Sequence, residues 1–471
     1  MADPADRTEA RGFAEAAEGP VYGFDPVVVE AVIQSLVAGD PARARQHVAD
    51  LHPADVADLL EWLSADERRG LVEAMRQDFD PEVLSELDDT VREEIIAQLG
   101  VQSVAAAVAE LDSDDAVDVI EELEEPEQRE ILDAMPAGDR TLIEESLAYP
   151  DDSAGRLMQH ELVTVPTFWT VGETIDYMRQ SADLDQEVLP EVFYDIFVVD
   201  PMHRPAGTLS LSRLLRTRRP VPVSDLMETE MNLIPAVMDQ EEVAFLFRQR
   251  DLVSAPVVDD GGRLVGAITI DDVVDVIHEE HEEDIMRLGG VREDDLYSAA
   301  VDTTRRRFAW LLVNLVTAIT ASLVIGLFEA TIEQMVALAV LMPIVASMGG
   351  NAGTQTMTVA VRALATKELT PTNALRVVGK ELLVGGFNGV LFAGLTGLVA
   401  WAWFASPALG IVIALAMIIN LVVAGLAGTT IPLMVERAGV DPAIASGVVL
   451  TAITDVVGFF VFLGLGAWLL L

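Results

Sequence analysis

The chain has 471 residues, 51% hydrophobic and 23% charged, with 77 acidic against 30 basic side chains and no cysteine. That length allows two or three domains, and so much apolar beside so much charged sequence means that two different solvents are addressed. The missing cysteines exclude disulfides, thiolate metal sites and thiol nucleophiles, and the net charge of −47 argues against a nucleic-acid partner.

The charge is unevenly distributed. Residues 305–471 hold 8 of the 30 basic and 7 of the 77 acidic side chains, which leaves 22 against 70 in residues 1–304. The whole negative charge therefore belongs to the first two thirds. Lys367 and Lys380 are the only lysines. A lysine-poor acidic surface stays hydrated at high salt and points to a halophile-like source; a GC-rich genome joined to a cation-binding domain is the other explanation.

In chain order, residues 1–23 are polar, lack the apolar core of a signal peptide and are expected to form a disordered tail. Residues 24–150 read as short amphipathic helices opened by Asp or Pro, such as HPADVADLLEWL from His52, DPEVLSELDD from Asp80 and DSDDAVDVIEEL from Asp112. LSADERRGLVEAM from Leu63 matches LEEPEQREILDAM from Leu123, so an all-α helical repeat or superhelix is predicted. From Leu157 short β runs alternate with helices, twice over. LMQHELVTVP parallels LMETEMNLIP, DIFVVD parallels SAPVVD, and GTLSLSRLL parallels GAITIDDVV. These halves resemble a tandem α/β pair of CBS domains, over residues 151–219 and 220–279. In such domains a Thr-x-x-Asp pair meets a nucleotide ribose. Thr269 and Asp272 fit, whereas the first copy has Ser210 and Arg213; a helix cap by Asp271 or Asp272 is the alternative.

The following helix, DDVVDVIHEEHEEDIMRL, sets Asp272, Asp275, Glu279 and Glu283 on one face and Val273, Ile277 and Ile285 on another. Stacked like charges repel, and an oxygen-only cluster suits Mg²⁺ or Ca²⁺. Apolar stretches over 308–328, 335–361, 382–406, 408–435 and 443–471 then predict five membrane spans. Arg305, Arg306, Arg307, Arg362, Lys367, Arg376, Lys380 and Arg437 fall in alternate loops, so the positive-inside rule predicts a cytoplasmic N-terminus and an external C-terminus.

Within the spans Asp455 is the outstanding residue. A carboxylate mid-span costs at least ~2.5 kcal/mol, so by default it faces water or a cation. No intramembrane Lys or Arg is available to pair with it. The second span carries Pro343 and GGNAGTQ, and the fourth carries Asn420, Gly425, Gly428 and Pro432. Gly350, Asn351, Gln355 and Asn420, with Asp455, form the candidate pore lining, although close helix packing explains a lone G-x-x-x-G equally well. No P-loop, ATPase or other catalytic constellation is present, and no enzymatic activity is expected.

The order of parts, together with YPDDSAGRLM (149–158), GGNAGTQ (349–355) and the Asp455 segment, resembles the MgtE family of Mg²⁺ channels over essentially the whole chain. The resemblance implies a multidomain protein: an N-type helical domain (24–150), two CBS units, an acidic connecting or plug helix (280–304) and a five-span domain (305–471) in the plasma membrane. It implies a homodimer with an axial pore in which Asp455 helps hold hydrated Mg²⁺, and a cytosolic sensor in which Mg²⁺ closes that pore. The matching sensor carboxylates are Asp239, Glu241, Asp251, Asp272, Asp275, Glu280, Glu283 and Asp284, with Asp114, Asp118 and, at the pore mouth, Asp441. ATP enters as a modulator. The alternatives are transport of Co²⁺, Ni²⁺ or Zn²⁺, and a non-conducting membrane sensor.

Overall fold

In the computed structural model the described residues are 26–182, 189–190, 192–291 and 300–470; the predicted N-terminal tail lies outside them. The chain divides into two compact units, residues 1–280 and 281–471.

Among the described residues the first unit opens with ten helices: α1 (Pro26–Val37), α2 (Pro41–Val48), α3 (Pro53–Trp62), α4 (Ala65–Met75), α5 (Glu82–Ser85), α6 (Asp89–Leu99), α7 (Val101–Val108), α8 (Ser113–Glu121), α9 (Glu125–Ala134) and α10 (Ala137–Leu147). Their starts are coded locally. Asp40 caps α2 ahead of Pro41, Ser64 and Glu67 form a reciprocal capping box on α4, and Asp88 caps α6. One continuous core, including Leu59, Leu71, Ile95, Val104 and Ile120, runs beneath them.

A repeated polar device ties successive turns together. Arg68 donates to the Leu63 carbonyl, Arg92 to that of Leu87 and Gln128 to that of Leu123, so the orphan acceptor five residues upstream is satisfied each time. The two arginines are nearly buried and each pairs with a carboxylate on the next repeat, Arg68 with Glu94 and Arg92 with Asp118.

The segment 149–158 joins these helices to the β region. Ala154 N–H donates to Met238 O and Gly155 N–H to Ala236 O, both at 2.7 Å, while Arg156 reaches back to Glu121 and the Tyr149 carbonyl. A Cβ on Gly155 would sit 2.4 Å from the Tyr149 ring, so this position requires glycine for close approach.

Two small sheets follow with the same topology. In order β1-β2-β3 are Thr164–Pro166, Asp195–Val199 and Pro205–Ser210, and in order β4-β5-β6 are Ile234–Pro235, Ser254–Val258 and Leu264–Thr269. Each has a parallel pair followed by an antiparallel pair, with an irregularity at Val198/Val199 in one and Val257/Val258 in the other. Four further helices belong here: α11 (Ala154–Leu157), α12 (Val171–Ala182), α13 (Leu211–Leu215) and α14 (Gln240–Arg250). Then α15 runs unbroken from Ile270 to Gly289, through the junction expected at 279/280. Val273 and Val276 pack on the β core, but Ile285 is 69% exposed and does not continue that face.

The second unit contains α16 (Ala300–Gly326), α17 (Glu329–Gln334), α18 (Ala337–Ala365), α19 (Ala374–Phe404), α20 (Pro407–Arg437) and α21 (Pro442–Leu469). All but α17 are long and apolar enough to cross a membrane. Their ends run beyond the apolar windows because interfacial charged residues continue the helix; Lys380 and Glu381 thus lie inside α19. Helices α19 and α20 meet along small residues, and a Cβ on Gly397 would lie 2.9 Å from the Gly410 carbonyl.

Asn420 on α20 touches both α18 and α21, where a Cβ on Gly458 would lie 2.9 Å from its Nδ2. It is fully buried on α20, its Nδ2 donates to Val345 O on α18 at 2.8 Å, and a Cβ on Gly349 would meet that nitrogen at 2.1 Å. Nothing lies within 4 Å of a Cβ built on the adjacent Gly350. Gly349→Ala is therefore expected to destabilise the membrane unit by ~1–3 kcal/mol through overpacking. Gly350→Ala should be close to neutral. Intrinsic-fluorescence melting of the detergent-solubilised protein checks this, and equal melting points for the two variants would contradict it.

Candidate functional site

The last membrane helix presents Asp455 half-buried, with Thr451 exposed one turn below it on the same face. No hydrogen bond or ion pair reaches Asp455 among the described residues. On α18 the GGNAGTQ motif divides by helical period. Gly349, Gly353 and Met357 are buried against neighbouring helices, whereas Ser347, Asn351, Thr354, Gln355 and Thr358 form an exposed polar stripe. Gly350 is partly exposed beside that stripe. Asn420 is different: within one chain it is an interhelical clamp rather than a lining residue, and its Oδ1 is buried without a hydrogen-bond partner.

At the start of α21, Asp441 is the N-cap, with Oδ1 accepting from Ala443 N–H at 2.7 Å. Its Oδ2 lies 2.5 Å from Arg287 Nη1, and Arg287 also pairs with Glu283. Asp284, nearby, has its carboxyl pKa raised by burial and then by Asp441.

In the first unit a second group of carboxylates converges from α8 and the start of α15. Helix α8 is seated by Ser113, whose hydroxyl donates to Glu161 at 2.7 Å and accepts from His160 N–H at 2.7 Å. His160 Nδ1 donates to the Val265 carbonyl at 3.0 Å. This places Asp114 and Asp115 against Asp272. Burial and then Asp272 hold Asp114 well above the usual carboxylate value and push Asp115 up to about 7. Asp272 itself rises to about 6, chiefly through burial and against the opposing hydrogen bond from Thr269. Asp275 is raised by desolvation and by Asp271, and Glu86 by desolvation and by Asp275. Five acids in this region thus have raised pKa values, with Asp272 acting on Asp114 and Asp115 and Asp275 on Asp272 and Glu86, which makes it a candidate region for positive charge.

The other sequence candidates are dispersed. Asp118 is occupied by Arg92 at 3.0 Å, and Glu280 accepts from Gln240 at 3.1 Å. Asp239 caps the start of α14, with Glu241 in its first turn, while Asp251 closes its other end in the left-handed region. Eleven helical residues lie between Asp239 and Asp251, twelve steps or about 18 Å at 1.5 Å per residue, too far to share an ion within one chain. Among the described residues no group of three or more His, Asp or Glu is already close enough to hold a metal ion. Thr269 Oγ1 donates to Asp272 Oδ2 at 2.7 Å, the helix-cap arrangement of that pair.

Reasoning from sequence missed Asp115, Glu86, Thr451, Glu381 and Arg287. Thr451 could have been found from its i−4 spacing to Asp455. Glu381, buried in α19 beside Lys380 and Thr356, was hidden because it falls just outside an apolar window.

The chain matches three family profiles: MgtE, a divalent cation transporter, over residues 342–465; the MgtE intracellular N domain over 51–152; and the CBS domain over 223–279. It is 29% identical to the magnesium transporter MgtE of Bacillus subtilis, over 94% of this chain and 97% of that one. It is 33% identical to the magnesium transporter MgtE of Thermus thermophilus, over 93% of this chain and 97% of that one. Among solved structures, the cytosolic domain of the Mg²⁺ channel MgtE in complex with ATP is 31% identical, with a TM-score of 0.48, covering 53% of this chain and 99% of that one. With two soluble domains, a repeated α/β pair and five apolar helices matched along nearly its full length, the chain belongs to the MgtE family of magnesium transporters.

Proposed function

We propose that this protein conducts Mg²⁺ passively into the cell and that cytosolic Mg²⁺ closes it. Asp455 carries the first half of this reading: a carboxylate within an apolar helix, on one face with Thr451 and without a protein counter-ion, is suited to receive a cation. Mg²⁺ sheds its octahedral waters reluctantly, so one carboxylate and a polar stripe can recognise the hydrated ion through those waters. An inside-negative potential contributes about 2.3 kcal/mol per charge per 100 mV, hence about 4.6 for a divalent ion, and inward flow needs no coupled reaction. Alternation of the basic loops supports a cytoplasmic N-terminus.

The exposed stripe of α18 supports a homodimer. Five polar side chains facing lipid would be costly, and a second copy that encloses them around a wet axis removes that cost. The carboxylates of α8 and α15 support the regulatory half. Their mutual repulsion disfavours the docked arrangement of the helical and α/β domains until a cation or protons neutralise them. ATP enters only as a modulator that would compete with the Thr269–Asp272 cap.

Asp455→Ala in liposomes is expected to lower Mg²⁺ uptake to background; normal conduction by this variant would remove the pore assignment. Zero flux of every divalent ion through the unaltered protein would favour the non-conducting sensor, and equal flux of Co²⁺ or Ni²⁺ the broader transporter. Neutralising Asp272, Asp275 and Glu283 together should leave the pathway open at Mg²⁺ concentrations that silence the parent protein. Retained closure in patch-clamp recordings would argue against the sensor.

The raised pKa values also give a pH dependence. Asp115 and Asp272 bind protons up to about 7 and about 6 in the fold, against a usual 3.8 when unfolded. Between those values the folded state holds more protons, so stability falls as pH rises through that window. Without divalent ions, thermal unfolding temperatures should drop from about pH 5 to about pH 8, and Mg²⁺ should flatten the slope by replacing the protons. A flat profile in chelator would contradict this.

A further inference from the structure

Within the second unit, the end of α15 and the start of α21 are joined through one side chain. Arg287 spans two carboxylates: Nη1 holds Asp441 Oδ2 at 2.5 Å and Nη2 pairs with Glu283 one turn back on its own helix. The contact is reinforced on both sides. Leu288 packs against the cluster that includes Met357, Ile431, Ala443 and Leu450 at the inner ends of α18, α20 and α21. Helix α15 then stops at Gly290, with φ of +72°, where Gly290 N–H donates to Arg287 O and Val291 N–H to Met286 O, both at 3.0 Å. A Cβ on Gly290 would collide with Trp310, so the turn is pressed against α16.

We propose that Arg287 is a positioning residue for closure, a permanently charged latch that seats the end of α15 on the N-cap of α21. Resting on the regulatory reading above, it assigns part of the counter-charge to the protein itself. Glu283, Asp284 and Asp441 carry three negative charges when ionised; one guanidinium leaves two, the charge of a single Mg²⁺. A guanidinium does not deprotonate at physiological pH, so this latch is present without any ion. Its planar fork can serve Asp441 and Glu283 together, which an ammonium on a flexible stem does less well. The divalent ion then completes a contact whose register the arginine has already set.

The test uses the full-length protein in nanodiscs. Because the native chain has no cysteine, spin labels can be attached at Ile285→Cys and Val440→Cys, both exposed positions, with labelled chain diluted in unlabelled chain. Without divalent ions the parent should give a narrow 285–440 distance distribution, and Arg287→Gln a broad, longer one. Arg287→Gln should also raise the Mg²⁺ needed to narrow that distribution about tenfold, corresponding to ~1.4 kcal/mol. Arg287→Lys should fall between the two, which simple loss of packing would not produce. A distribution and Mg²⁺ midpoint in Arg287→Gln equal to those of the parent would overturn the latch. If Mg²⁺ changes nothing in either protein, the regulatory reading fails, while the ion-free comparison still decides whether Arg287 holds the helix end.

Discussion

Between Thr451 and Gly458 the last membrane helix carries one carboxylate, Asp455, and among the described residues no cationic side chain approaches it. Carrying such a group into hydrocarbon costs several kcal/mol unless water or a counter-ion accompanies it. The surrounding packing makes sense in that light. Helices α18, α20 and α21 are drawn together by glycines and by the Asn420 clamp, which turns the apolar side of α18 inward and leaves its amide and hydroxyl side chains on the other side. The bundle is thus close-packed where it touches itself and polar where it does not.

The soluble unit handles its acids in two ways. Carboxylates such as Glu94, Asp118 and Glu121 are each matched by an arginine; the first two pairs help stack one helical repeat on the next, and the third ties α8 to the 149–158 segment. Asp114, Asp115, Asp272 and Asp275 face one another instead, with raised pKa values. With only 22 basic residues against 70 acidic ones in residues 1–304, pairing everything is not an option. Arg68 and Arg92 go to buried carbonyls, where an unsatisfied acceptor would cost most, and the cluster between α8 and α15 is left for ions or protons to neutralise.

Arg287 lies where α15 ends beside the start of α21. Its guanidinium pairs with two carboxylates, Glu283 and Asp441.

Periodicity and composition alone determined the five membrane helices, the helical repeat and the duplicated α/β unit, because each is specified by local spacing of apolar residues and by Asp, Ser and Pro at helix starts. They also placed Asp455 in an apolar stretch, 443–471, that contains no Lys or Arg. Tertiary structure decided which acids meet. Asp114 and Asp272 are 158 positions apart, and the Ser113, His160 and Glu161 contacts, with the Arg156–Glu121 pair, bring α8 onto the α/β pair. It decided that Asn420 clamps helices and does not line an open face, because burial depends on neighbours that a single helix does not reveal. It separated Asp239 from Asp251 by the length of a helix, and it brought Arg287 to Asp441 across 154 residues of chain. Charge acts through distance in space, and sequence spacing reports that distance only within one helix.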